Sequence, residues 1–198
     1  MPSRSIVLVS ASPRRADLLR HAGLEFSVRP ADVDETPSPG EPPGDLAERL
    51  ARAKVLALPA PSGPILAIGA DTVVAVEGAT LGKPRDGADA RRMLRRLSGR
   101  VHEVTTGMAV RLLPEGTVAS ERTVSRVTFA ALSELEIDWY AGTGEGMDKA
   151  GAYALQGIGA LFIESIAGSY TNVIGLPLER LYPHLRRHGL LPGCSSPA

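Results

Sequence analysis

The chain has 198 residues, 43% hydrophobic but only 4% aromatic, with 22 basic and 22 acidic side chains for a formal net charge of zero. That length suits one large domain or two small ones, with a core mostly of Leu, Val, Ala and Ile, and the zero balance excludes a global field that would recruit nucleic acid or an anionic membrane. No apolar run reaches the ~18 residues of a membrane span, and a single cysteine, Cys194, leaves no disulfide or cysteine-built metal site. With no long apolar stretch of a signal peptide at its start, a soluble cytoplasmic protein is the expectation.

In chain order, Ile6–Val9 reads as a short buried strand and Pro13–Ala22 as a helix closed by Gly23. Glu25–Arg29 alternates and predicts a second strand, and the polar, Pro-rich segment from Asp32 to Pro43 predicts an irregular loop. Asp45-Leu-Ala-Glu48 has the form of a capping box opening a helix to about Leu58. Ile65–Ile68 and Val73–Val76 are apolar runs that "GADT" interrupts, and "EGAT" makes a turn. Asp86–Leu97 reads as a helix ended by Ser98-Gly99, and Val101–Leu113 and Thr117–Ala130 as two long strands about the "PEG" turn. Ser133-Glu-Leu-Glu136 predicts a second capping box and a short helix to Ala141. Strand-like pieces follow around Tyr153 and over Leu161–Ile166, and a last helix spans Leu178 to Arg187. There is no internal repeat. The mixed order with long adjacent strands predicts an α/β protein with a mixed sheet.

Several charges sit where local structure does not want them. Ser12 is a good N-cap and Pro13 suits the first helical position, yet Arg14 and Arg15 follow at once. The open N–H groups of a first turn already make that end positive, so each arginine is unfavourable there by ~0.3–1 kcal/mol unless an anion joins them. The alternatives are two solvated arginines on a surface turn or an anion site. Lys54 falls in the middle of the apolar arc of its helix, flanked by Leu46, Ala47, Leu50, Ala57 and Leu58, and must either snorkel out or meet an anion. Asp71 sits in "ILAIGADTVVAV", apolar on both sides. It is either a turn aspartate satisfied by nearby N–H groups or a carboxylate held to bind a metal or activate water. Asp32, Asp34 and Glu35 in "DVDET" form a second acidic arm or a solvated turn, and Lys83-Pro84 follows Asp71 within a hairpin's distance.

One ligand accounts for the set: a polyphosphate with its divalent cation. The arginines and lysines neutralise phosphate oxygens, while Asp71, with Glu35, takes Mg²⁺, an oxygen-seeking ion that keeps several waters. Other phosphate devices are missing from the sequence, since there is no G-x-x-x-x-G-K-[ST] and no G-x-G-x-x-G after a strand. His21, His102, His184 and His188 show no metal-ligand spacing. Polar composition is biased too: 19 arginines stand against three lysines (Lys54, Lys83 and Lys149), with one glutamine, Gln156, and one asparagine, Asn172.

Taken in order, "SASPRR", "VDET", "ARAK", "GADTVV", "LGKP", "ML..LSG..H.V.T", "DKAGAYALQG" and "GSYTNVIGLPL" resemble the Maf family of nucleoside triphosphate pyrophosphatases. The resemblance covers about Ser10 to Leu178, so a single Maf-like domain over residues 1–188 and a flexible tail over 189–198 are expected. It implies hydrolysis of a nucleoside triphosphate between the α and β phosphates, giving monophosphate and pyrophosphate. It also implies a divalent cation (Mg²⁺ or Mn²⁺), a homodimer, and an elongated fold like that of inosine triphosphatases, with a central cleft between two lobes.

By this resemblance Asp71 matches the family's proton acceptor, and Arg14, Thr72 and Gln156 match positions tied to substrate choice. Arg15, Lys54, Glu35 and Lys83 fall on motif positions that line the site; Ser12 joins them as a substrate-binding candidate, and Asp71 with Glu35 are the candidate metal ligands. "DKAGAYALQG" is similar to the branch acting on dTTP and UTP, rather than that acting on 7-methyl-GTP. A carboxamide at Gln156 can pair with the N3–H and one carbonyl of uracil or thymine together, although a glutamine before Gly157 is also an ordinary turn residue. A rival expectation is a nucleotide-binding regulator of cell division with a division protein as partner, which the family's link to septum formation raises. Neither a nucleic-acid nor a membrane partner is expected.

Overall fold

Residues 4–59 and 62–192 are described by a computed structural model, so Cys194 and the end of the expected tail lie outside the described residues. Among the described residues seven strands form one mixed sheet: β1 (Ser5–Leu8), β2 (Phe26–Val28), β3 (Ile65–Val76), β4 (Ala79–Leu81), β5 (Val101–Leu113), β6 (Val118–Phe129) and β7 (Ile163–Ala167). Their order is β2-β1-β3-β5-β6-β7, with β4 paired to β3. β1 runs parallel to both β2 and β3, whereas β4 on β3 and β7 on β6 are antiparallel. Parallel neighbours need crossover connections, and the helices α1 (Pro13–His21) and α2 (Pro43–Ala57) supply them. The remaining helices are α3 (Gly87–Leu97), α4 (Glu134–Gly142), the five-residue α5 (Tyr170–Ile174) and α6 (Leu178–Arg187). The expected α/β class and mixed sheet are present. No helix among the described residues is long and apolar enough to cross a membrane.

The chain divides into two compact units, one of Met1–Asp71, Thr106–Thr123 and Gly175–Ala198, the other of Thr72–Thr105 and Val124–Ile174. In the first, Val7 of β1, Val9 just after it, Ala67 of β3 and Ala109 and Leu113 of β5 pack with Ala51 and Val55 of α2 in one buried cluster. The second has its own core, in which Met93, Leu94 and Leu97 of α3 meet Phe129, Ile137, Tyr140, Tyr153 and Phe162. The aromatic rings there pack edge to face, Phe129 on Tyr153 at 4.7 Å and Tyr140 on Phe162 at 5.1 Å between centroids.

Four expectations need correction. The capping box at Asp45 does not form: α2 starts two residues earlier, at Pro43 after Pro42, because a proline in the first turn gives up no helical hydrogen bond. Asp45 instead pairs with Arg122 of β6, and Glu48 accepts from the Ser120 hydroxyl at 2.7 Å. The "GADT" interruption is absent too, since β3 runs unbroken from Ile65 to Val76. β1 pairs with β3 over Ile65–Ile68 and β4 over Val74–Val76, so the stretch is held at both ends with β5 as the other neighbour of the strand, and this pairing overrides the turn preference of a glycine and an aspartate. Tyr153 has extended backbone (φ −143°, ψ 161°) but lies in no strand, directly after the 3₁₀ turn Ala150–Ala152 with positive φ at Gly151 (75°) and Ala152 (59°). Leu161 likewise falls in a 3₁₀ turn, Ile158–Phe162. Ser133 with Glu136 forms the expected capping box of α4, and Asp86, the first residue of the expected helix, instead caps α3 by accepting the Asp89 N–H at 2.8 Å.

Candidate active site

Glycines in the sheet decide how closely α2 approaches it. A Cβ built on Gly69 of β3 would stand 2.6 Å from the Ala51 carbonyl oxygen, and one on Gly107 of β5 2.2 Å from that of Ala47. Both distances are impossible for real side chains, so the helix backbone rests directly on bare strand. Asp71 lies two residues after Gly69 and therefore faces the same side, toward α2. Lys54 extends from that helix over it.

Lys54 meets anions, the second of its two alternatives. Its ammonium donates to Asp71 Oδ1 at 2.7 Å and pairs with Glu35 Oε1 at 2.8 Å, with the lysine side chain 10% exposed, Asp71 14% and Glu35 51%. The irregular loop after β2 thus delivers Glu35, the helix delivers Lys54 and the strand delivers Asp71 to one point. Two carboxylate oxygens already converge within hydrogen-bond distance of one cationic atom, so both can reach one hard cation. Among the described residues no group of three or more His, Cys, Asp or Glu gathers to hold a metal ion. A two-carboxylate set fits Mg²⁺ or Mn²⁺ that takes its other ligands from water and phosphate oxygens.

The loop before α1 is shaped from within. Ser12 has extended N-cap geometry without a side-chain cap bond, its own N–H donating to Ser10 Oγ at 3.2 Å, and the first turn of α1 holds no acid. Arg15 is buried: its Nε donates to the Gly175 carbonyl at 2.8 Å and its Nη1 to Ser10 Oγ at 2.9 Å. Burial pulls the guanidinium below the ordinary arginine value, with Asp71 and Glu35 acting against that shift and Arg14 with it. Arg14 is only half-buried. The two arginines therefore differ, one built into the protein and one at its edge.

In the second unit, Thr72 follows Asp71 on β3, half-buried and on the opposite face of the strand. Lys83 is exposed in the segment after β4, which the Gly151 N–H holds at the Gly82 carbonyl, 3.1 Å, and which Asp89 secures through Arg85 Nε, 3.1 Å. Gln156 is exposed between the two 3₁₀ turns. Asn172 is fully buried, its Nδ2 donating to the Val104 carbonyl at 3.0 Å and to Ser125 Oγ at 2.8 Å, so it ties α5 to β5 and β6. The sequence reading missed Glu145 and Tyr140, whose side chains bind the backbone around Gln156. A lone acid between two glycines, Gly144-Glu145-Gly146, is the only signal that pointed there.

A family model described as Maf-like protein matches residues 5–188. The dTTP/UTP pyrophosphatase of Anaeromyxobacter dehalogenans (strain 2CP-C) is 52% identical over 186 residues, 93% of this chain and 94% of the relative. That of Geobacter metallireducens is 50% identical over 192 residues, 96% of this chain and all of the relative. The dTTP/UTP pyrophosphatase of Symbiobacterium thermophilum is 48% identical over 186 residues, 94% and 95% of the two chains.

Proposed function

Because the chain belongs to the Maf-like protein family, we propose that it is a nucleoside triphosphate pyrophosphatase hydrolysing dTTP and UTP to the monophosphate and pyrophosphate. Relatives at about half identity along nearly the whole chain carry that activity in their names. The observation that carries the reading is the meeting of Lys54, Asp71 and Glu35 at one point, on elements that otherwise have no reason to gather charge.

In this reading Arg14, Ser12, Lys83 and the first-turn N–H groups of α1 bind the triphosphate, with Arg15 bracing the loop from behind. Lys54 holds the Asp71 carboxylate in place, and Asp71 accepts a proton from the water that attacks the α-phosphorus. The new P–O bond forms as the bond to the bridging oxygen breaks, and pyrophosphate leaves with that electron pair. Mg²⁺ or Mn²⁺, held by Asp71 and Glu35, supplies neutralisation of phosphate charge and a more acidic water. Thr72 and Gln156 set substrate choice, Gln156 by pairing its carboxamide with N3–H and one carbonyl of the pyrimidine. A homodimer in the cytoplasm completes the proposal, the dimer being open to sedimentation analysis.

The test is pyrophosphate release from a panel of dTTP, UTP, CTP, ATP, GTP and 7-methyl-GTP with Mg²⁺ or Mn²⁺. Turnover confined mainly to dTTP and UTP, and lost on chelation, is the expected result. Preference for 7-methyl-GTP, or binding without turnover, would overturn it.

A further inference from the structure

Gln156 stands in a stretch without helix or strand hydrogen bonding, between the 3₁₀ turns Ala150–Ala152 and Ile158–Phe162. An exposed side chain on such a stretch has a defined direction only if the backbone beneath it is fixed. One pair of side chains does this on both flanks. Glu145 Oε1 accepts the Ile158 N–H at 2.8 Å and Oε2 the Gly159 N–H at 2.9 Å. The Tyr140 hydroxyl donates to Glu145 Oε2 at 2.7 Å and itself accepts the Ala154 N–H at 3.1 Å. Ala154 comes two residues before Gln156 and Ile158 two residues after it.

This clasp is rooted in the core of its unit. Tyr140 is 1% exposed within α4. The chain then turns back over it, because Thr143 Oγ1 donates to the Tyr140 carbonyl at 2.7 Å and accepts the Glu145 N–H at 3.2 Å. Gly157 has φ 151°, and a Cβ there would lie 2.1 Å from Glu145 Oε1, so the loop backbone is drawn against the carboxylate as only glycine allows. Burial works against the Glu145 charge, but the bonds from Tyr140, Gly159 and Ile158 outweigh it and hold the carboxyl below the ordinary glutamate range. An ionised carboxylate is the form that accepts all three donors at once.

We propose that Glu145, together with Tyr140, is a positioning residue for base selection: it fixes residues 154–159 and thereby aims Gln156. This rests on the reading of Gln156 as the group that pairs with the pyrimidine. Glu145→Gln turns one acceptor into an NH₂ group facing donors, and Tyr140→Phe removes only the hydroxyl that joins the carboxylate to Ala154. Either change loosens the aim of Gln156 while leaving the groups on the triphosphate in place.

The experiment measures kcat and KM for UTP and CTP in wild type, Gln156→Ala, Glu145→Gln, Tyr140→Phe and the double variant Glu145→Gln/Gln156→Ala. Glu145→Gln should lower the UTP-to-CTP ratio of kcat/KM about ten-fold, mainly through KM for UTP, and Tyr140→Phe should lower it less. The double variant should show the ratio of Gln156→Ala alone, because the clasp acts only through that side chain. An unchanged ratio in both Glu145→Gln and Tyr140→Phe, with Gln156→Ala collapsing it, overturns the positioning role and leaves the base reading intact. If Gln156→Ala leaves the ratio unchanged, the base reading fails and this inference with it. Should Glu145→Gln not fold, Tyr140→Phe decides alone.

Discussion

The Lys54 ammonium reaches Asp71 at 2.7 Å because Gly69, two residues before Asp71 on the same strand face, holds nothing between β3 and α2. Gly69→Ala would place a methyl group 2.6 Å from the Ala51 carbonyl and 2.8 Å from Val55 Cγ1. Overpacking of this kind costs about 1–3 kcal/mol and has to lift the helix that carries Lys54. Thermal unfolding should fall accordingly, and kcat about ten-fold further than the loss of folded protein explains. A variant destabilised but with unchanged kcat would separate the packing from the chemistry.

Asp71→Asn is expected to lower kcat by ~10²–10⁴, the usual range for loss of a positioned general base. The protein should stay folded, since Lys54 keeps Glu35 as a partner at 2.8 Å. Nucleotide binding, measured calorimetrically, should persist. A near wild-type rate would remove Asp71 from the reaction.

Arg14 and Arg15 should separate cleanly. Arg15→Ala removes the side-chain donor from the buried Gly175 carbonyl and leaves Ser10 Oγ with only the Ser12 N–H, and loss of hydrogen bonds to a charged group costs about 1.5–3 kcal/mol. Arg14→Ala removes a charge from the positive end of α1 and should leave the unfolding midpoint equal or slightly raised, with KM for the triphosphate increased steeply. Denaturant titration beside steady-state kinetics distinguishes them; the reverse pattern would exchange their roles.

Acid sensitivity should trace to His102. It is 1% exposed beside Phe129, its Nε2 2.8 Å from the Tyr153 hydroxyl, and burial pushes its pKa down from 6.5 to about 4. The unfolded chain therefore binds this proton first as pH falls. The stability that neutral His102 contributes is complete above pH 6.5 and lost progressively down to about pH 4, an amount of about 3 kcal/mol. Half-buried His184 and His188 in and after α6, also shifted down by burial, push the same way. Urea midpoints between pH 7 and 4 should fall steeply in wild type and less steeply in His102→Gln. Equal slopes would place the acid sensitivity elsewhere.

Local chemistry was legible in the sequence. The Ser133 capping box, the helix ending at Leu97, the Gly23 stop and the last helix over Leu178–Arg187 all follow from residues within one or two turns of each other. So does the inward placement of Lys54, because helical periodicity alone puts it on the apolar arc. The family itself was legible too, because many short stretches match it in order and the family model spans residues 5–188.

Only tertiary structure decided the rest. Whether Lys54 snorkels or pairs depends on Asp71, 17 positions on, and on Glu35 in a loop with no periodicity. "GADT" stays extended rather than turning because β1 pairs with the strand before it and β4 with the strand after it, a contribution no local window contains. Asp45 lost its cap to a proline start and found Arg122, 77 residues away. Arg15 and Arg14, identical neighbours in sequence, differ in that Arg15 is buried, donating to the Gly175 carbonyl 160 positions on, while Arg14 is half-buried. Sequence determines what each short stretch can do alone. Which of two permitted partners a charge takes is set by the chain that folding brings beside it, since a buried charge is stable only where its counter-charge or hydrogen-bond partner arrives.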